Sequence, residues 1–119
     1  MALTGAAAVL GVKDVPSALA FVRDRLGFKL LGTWGEPAVF AILERDGIEL
    51  FLQTACDPRG GSPDDWSLYL RCESADRLHD ELVGRGAPIS SPLTDKIYGC
   101  REFEVAGPED HTIAFGQNL

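Results

Sequence analysis

The sequence predicts an α+β fold assembled from two copies of one βαβββ module, forming a curved, mostly antiparallel sheet with the helices on its outer face. Three observations point there. Each half carries one segment of helical periodicity followed by short strand-length runs. A break rich in Gly, Pro and Asp, Asp57-Pro-Arg-Gly-Gly-Ser-Pro-Asp-Asp65, divides the chain near its middle. The halves also share landmarks. Val9-Leu-Gly-Val-Lys-Asp14 and Leu68-Tyr-Leu-Arg-Cys-Glu73 each end a strand in an acid before a helix, and Leu26-Gly-Phe28 and Arg85-Gly-Ala87 each follow one. The expected organisation is a single domain over 1–119, with module 1 at about 1–54, a linker at about 55–65 and module 2 at about 66–119.

In module 1, Ala6 to Val12 is an apolar run of strand length. Asp14 can cap a helix and Pro16 suits its first turn. Val15, Ala18, Leu19, Val22 and Leu26 recur at helical spacing, with Arg23, Asp24 and Arg25 largely on the polar side, and Gly27 ends the helix. Phe28 to Trp34 reads as a strand, broken by Gly35-Glu-Pro. Val39 to Glu44 and Ile48 to Gln53 are two strands around Asp46-Gly47, a strong hairpin signal.

In module 2, Trp66 to Cys72 is the first strand, and Ser74 can cap a helix in which Ala75, Leu78, Leu82 and Val83 follow helical spacing. Gly84-Arg-Gly86 stops it. Ala87 to Leu93, with Pro88 and Pro92, suits a sheet edge. Arg101 to Ala106 and Thr112 to Phe115 form a closing hairpin across Gly107-Pro-Glu-Asp110.

Composition excludes several classes. With 45% apolar and 24% charged residues the chain can build a packed core. No apolar run reaches the length of a membrane span, and Met1 to Leu10 lacks the basic region of a signal peptide, so a cytoplasmic, soluble protein is expected. A formal net charge of -7 disfavours nucleic acid and suits cationic ligands. The three cysteines, Cys56, Cys72 and Cys100, form no CxxC pair, so a disulfide framework or zinc knuckle is not expected and the thiols read as inert. His111 reads as a surface turn residue and His79 as a solvated helix residue. No nucleophile motif frames either.

Val12-Lys-Asp-Val-Pro-Ser-Ala-Leu-Ala-Phe-Val-Arg-Asp-Arg-Leu-Gly-Phe28, the internal repeat and the segment from Tyr98 to Phe115 resemble the vicinal oxygen chelate superfamily of glyoxalases, extradiol dioxygenases, fosfomycin-modifying enzymes and bleomycin-resistance proteins. The aromatic-Gly-x-Arg-Glu-Phe strand and the Pro-containing turn are most similar to the bleomycin-resistance branch. The resemblance implies paired βαβββ modules, homodimerisation and exchange of modules between chains. In the enzymes it also implies metal ligands in the first and last strands of each module. Carried over, those positions fall near Ala7, Glu49, Ser67 (or Trp66 after a one-residue slip) and Ala114. Only Glu49 among them binds a divalent ion well, and one carboxylate does not make a metal site.

The expectation is therefore binding without a metal or cofactor and without catalytic residues. A small aromatic or cationic compound, of bleomycin-like antibiotic type, would be sequestered in dimer crevices. The resemblance places ligand contacts at Phe40 and Tyr98. Trp34 and Trp66 are further candidate rings. Those relatives carry another aromatic near the position of Gly32, which this chain lacks. Glu49, Glu102 and Glu104 are other strand carboxylates. If Phe103 and Val105 face the helices, Glu102 and Glu104 face the concave side and favour a cation; in the opposite register they are ordinary solvent-facing charges, and Arg101 can pair with either. The alternative is a metal-dependent glyoxalase-like lyase or dioxygenase with Glu49 as one ligand.

Overall fold

The computed structural model describes residues 1–55 and 65–119. Residues 56–64, which include Cys56 and all of the break before Asp65, lie outside the described residues. Two compact units divide the chain, Met1–Arg59 and Gly60–Leu119.

The first unit runs β1 (Ala7–Val12), α1 (Val15–Leu26), β2 (Lys29–Trp34), β3 (Phe40–Arg45) and β4 (Ile48–Thr54). The strands form one sheet in the order β1-β4-β3-β2, parallel between β1 and β4 and antiparallel elsewhere. Asp14 caps α1 as its spacing predicts: its Oδ1 accepts from the Ser17 N–H at 3.1 Å. Gly27 ends the helix with φ 75°, a left-handed conformation that a Cβ would disfavour. Asp46 and Gly47 both have positive φ, as a two-residue hairpin between β3 and β4 requires. The apolar stripe Val15, Ala18, Leu19, Val22 and Leu26 packs onto Leu10, Val12, Ala41, Leu43, Leu50 and Leu52, all buried.

The second unit repeats the plan: β5 (Leu68–Arg71), α2 (Ala75–Gly84), β6 (Ile89–Asp95), β7 (Cys100–Ala106) and β8 (Thr112–Asn118), in sheet order β5-β8-β7-β6. β5 and β8 are parallel and the other pairs antiparallel. Ser74 caps α2 by accepting from the Arg77 N–H at 3.2 Å, and Gln117 of β8 accepts the Ala75 N–H at 2.9 Å. Ala75 and Leu82 cover Phe103, Val105, Ile113 and Phe115, where Phe103 and Phe115 stack at 5.0 Å. Val83 does not belong to the buried stripe; it is half exposed, because Leu82 already fills the last core position of this short helix. A turn of 3-10 helix, Pro108–Asp110, links β7 to β8.

Three further expectations are corrected. His111 is buried, not a surface residue: its Nδ1 lies 2.7 Å from the Ser67 Oγ, which ties the end of the turn to the start of module 2. His79 is not simply solvated, since its ring meets Phe103 edge-on at 5.3 Å. Arg101 pairs with neither Glu102 nor Glu104. The register puts it on the helix side, where it reaches Asp95 at 2.7 Å and Asp76 of α2 at 3.0 Å. The two carboxylates hold its guanidinium more firmly protonated, and Arg101 in turn holds Asp95 below the usual carboxylate range.

Candidate functional site

Strand alternation gives each sheet a second face, opposite its helix, and the cross-strand pairings assign its residues. In module 1, Trp34, Phe40 and Gln53 lie in one row across β2, β3 and β4. Gly32, Ile42, Phe51 and Val9 make the next row, and Lys29, Glu44, Glu49 and Ala7 the third. The rings form a continuous run: Trp34 meets Phe40 edge-on at 5.6 Å, and Phe40 meets Phe51 at the same separation. Trp34 is 52% exposed. Its indole lies across Gly32, where a Cβ would come within 3.1 Å of the ring. The glycine is the floor that lets the Trp34 ring lie there. No polar side chain interrupts the first two rows except Gln53 at their edge.

In module 2 the same face is built from hydrogen-bonded aromatics. Phe103 and Val105 face α2, so Glu102 and Glu104 do point to the open side. Glu102 is 3% exposed and takes one phenol on each oxygen: Tyr69 donates to Oε2 at 2.8 Å and Tyr98 to Oε1 at 2.7 Å. Trp66 donates its indole N–H to Glu104 Oε2 at 3.0 Å and packs on Tyr69 at 4.9 Å. The Arg71 guanidinium sits 5.0 Å over the Tyr69 ring, while its Nη1 donates to Asn118. Tyr69 reaches Glu102 by passing over Gly116, the only residue type that leaves room for its hydroxyl there.

These contacts have an electrostatic consequence. The hydrogen bond to Glu102, then desolvation and the carboxylate charge, push the Tyr98 hydroxyl up to about 12. Burial first, and then Glu102, push Tyr69 higher still, with Arg71 working the other way. Both phenols are therefore held as donors, which a buried carboxylate needs. Burial also raises the Cys72 thiol, against Arg71.

The rings expected from sequence thus fall on the open faces, Trp34 and Phe40 in module 1, Trp66 and Tyr98 in module 2. Glu102 is there too, but as a capped carboxylate. Tyr69, Phe51, Arg71 and Gly116 were missed. Alternation in Leu68-Tyr-Leu-Arg71 already sets Tyr69 and Arg71 opposite the two leucines, so that signal was present.

The register also places the carried-over chelating positions against their neighbours. Ala114 pairs with Tyr69, five residues before the Ser74 cap. The residue placed likewise in module 1 is Phe51, which pairs with Val9, five residues before the Asp14 cap. By its distance from the cap Phe51 is placed as Ala114 is, while Glu49 pairs directly with Ala7, the other carried-over position of module 1. Ala7, Glu49, Ser67 and Ala114 offer one carboxylate between them, and one carboxylate does not fit a divalent ion. Among the described residues no three His, Cys, Asp or Glu side chains converge on a point that could hold one.

With this geometry in view, the comparisons define the class. The model of the Glyoxalase/Bleomycin resistance protein/Dioxygenase superfamily matches residues 6–115, and the chain belongs to that superfamily. Among solved structures it is similar to the bleomycin-binding protein of bleomycin-producing Streptomyces verticillus, determined with copper(II)-bleomycin: 25% identity, 100% of this chain and 99% of that one, TM-score 0.77. It shares its fold with TioX from Micromonospora sp. ML1, at 24% identity over 97% of this chain and 100% of that one, TM-score 0.76. It also shares it with TnmS3, an antibiotic binding protein from Streptomyces sp. CB03234, at 20% identity over 100% of both chains, TM-score 0.76. No curated protein sequence matches the chain. Among the described residues no helix is long and apolar enough to cross a membrane.

Proposed function

We propose that the chain binds a small aromatic compound of antibiotic type and sequesters it without turnover, as a cytoplasmic homodimer that needs no metal or cofactor. One observation carries the reading: the Trp34–Phe40–Phe51 run of rings on a sheet face that its own helix leaves open. A planar heteroaromatic group laid on such rings gains about 0.5–1.5 kcal/mol per ring pair beyond its area burial. The few polar groups at the edge, Gln53 and Glu49 among them, would fix its orientation. The bleomycin-binding protein at 25% identity supports the ligand class.

Titration calorimetry against a panel of bleomycin-type glycopeptides tests it. The expected result is saturable heat with at least one of them and ligand recovered chemically unchanged. No heat with any, or recovery of a converted product, overturns it. Light scattering tests the dimer, which predicts twice the 12.8 kDa chain mass. The metal-dependent alternative has Glu49 as its single carboxylate, too few ligands for a divalent ion.

A further inference from the structure

We propose that the open face of module 2 is a site for an organic cation that bears N–H groups, an ammonium or amidinium attached to a ring, held on the Trp66 indole and by the Glu104 carboxylate. The inference deepens the binding reading above and rests on it, but it concerns other residues and another chemical property of the ligand.

Two carboxylates two residues apart on one strand face share a side and lie about 7 Å from each other. Here neither is neutralised. Glu102 accepts from two phenols and Glu104 from one indole, and no Lys or Arg forms an ion pair with either among the described residues. The nearest cation on this face, Arg71, is spent on Asn118 and on the Tyr69 ring. A carboxylate has about four acceptor positions. Glu104 is half-buried and receives one hydrogen bond, on Oε2, so Oε1 remains to accept. Beside it stands Trp66, 45% exposed, offering a ring face that attracts cations. Glu102 sits behind the phenols and cannot be touched without moving one. Its charge still acts on a guest at Glu104, strongly because the site is partly desolvated.

An ammonium or amidinium satisfies all of this at once: an N–H donor for Glu104, positive charge for both acids, and a flat or apolar body for Trp66. A quaternary cation offers no donor, and a neutral ring offers no charge. The face is therefore built to tell the protonated form of a ligand from its neutral isostere.

The test uses Trp34→Phe protein, in which Trp66 is the sole tryptophan, since the chain has two. Its emission is followed at neutral pH during titration with benzamidinium and, separately, with benzamide. Benzamidinium is expected to saturate the response with at least about tenfold higher affinity than benzamide. Glu104→Gln is expected to bring the two within about twofold, Glu102→Gln to narrow the gap by a lesser factor, and Glu73→Gln, which removes the same charge from an exposed position, to leave it unchanged. Should Glu104→Gln fail to fold by circular dichroism, Glu104→Asp with its charge retained and Glu104→Ala without it replace it. Equal affinity for the two probes, no saturable response up to roughly 50 mM of either, or a gap unaffected at Glu104 overturns the proposal. If the unsubstituted protein still gives glycopeptide heat while discrimination is absent, this inference alone falls. If the probes do not bind and the unsubstituted protein gives no glycopeptide heat, the binding reading falls with it.

Discussion

On the helix side the two modules are near-copies. Val12, Val22, Leu43, Leu50 and Leu52 fill one core, and Leu82, Phe103, Val105, Ile113 and Phe115 the other, with Asp14 and Ser74 capping the helices at matching places. On the open side they part. Module 1 presents Trp34, Phe40, Phe51, Ile42 and Val9, held by ring and van der Waals contact. Module 2 presents Trp66, Tyr69 and Tyr98, each tied by a hydrogen bond to a carboxylate. The lesson is about which constraint acts where. The face against the helix must be apolar and close-packed in both copies, so they have stayed alike. The other face carries no such demand, and there one copy has become a soft aromatic surface and the other a rigid polar one.

The glycines beneath the two aromatic sets give the sharpest test of that contrast. A methyl added at Gly116 would overlap the Tyr69 hydroxyl outright, driving it off Glu102 and leaving a buried carboxylate short of a donor. Gly116→Ala is expected to lower unfolding free energy by about 2–4 kcal/mol, from overpacking and the lost hydrogen bond together. A methyl added at Gly32 meets only the far edge of the Trp34 indole, at 3.1 Å, and that exposed ring can shift. Gly32→Ala is expected to cost less than about 1 kcal/mol. Denaturant unfolding of the two variants measures both; equal losses would erase the distinction between a locked and a soft face.

Alkaline titration separates the modules by another route. Both tyrosines of the chain are in module 2 and both donate to Glu102. Tyrosinate absorbance near 295 nm is expected to stay absent around pH 10.0, the ordinary value, and to rise only toward about 12 for Tyr98, with Tyr69 later. The sign follows from linkage. A raised phenol pKa favours the protonated fold, so the stabilisation is complete below pH 10.0 and is lost as pH climbs through the folded value of about 12. Module 1 contains no tyrosine, so this alkaline loss belongs to module 2. A normal titration of both phenols would show that the Glu102 clasp does not form.

Much of this was legible in the residues, for definable reasons. Helical spacing in Val15 to Leu26, the Asp46-Gly47 turn and the Asp14 and Ser74 caps are local signals, and the elements appear where those signals put them. The open-side orientation of Glu102 and Glu104 also follows from alternation once Phe103 and Val105 face the core. What alternation cannot supply is register between distant strands. Tyr69 meets Glu102 because β8 lies between β5 and β7, and Phe51 matches Ala114 only when the β1–β4 and β5–β8 pairings are compared. His111 misled for a related reason: a turn residue was read as exposed, while Ser67 and the 3-10 turn draw it inside.

Ligand binding offers a smaller measure of the same contrast. Trp34 is held through its ring by contact with Phe40, and it is half exposed. Trp34→Ala is expected to change stability by less than about 1 kcal/mol and to weaken an aromatic ligand roughly tenfold, the worth of one ring pair. Trp66→Ala instead leaves Glu104 without its donor and withdraws a ring from Tyr69, so a stability loss of about 1–2 kcal/mol should accompany it. Thermal melts beside calorimetry on both variants decide whether the two tryptophans divide in this way.

The smallest effects belong to the helix caps, where the modules should agree. Asp14→Ala removes the acceptor of the Ser17 N–H and Ser74→Ala that of the Arg77 N–H, each at an exposed helix start. Each is expected to cost about 1 kcal/mol in denaturant unfolding. Gln117 adds a second acceptor at the start of α2, for Ala75, but it serves a different N–H and does not relieve the one Ser74 leaves. The two losses should therefore match to within about 0.5 kcal/mol. A much smaller loss at Ser74 would mean that β8 holds α2 in place without its cap, and the divergence between the modules would then extend to the side on which they look most alike.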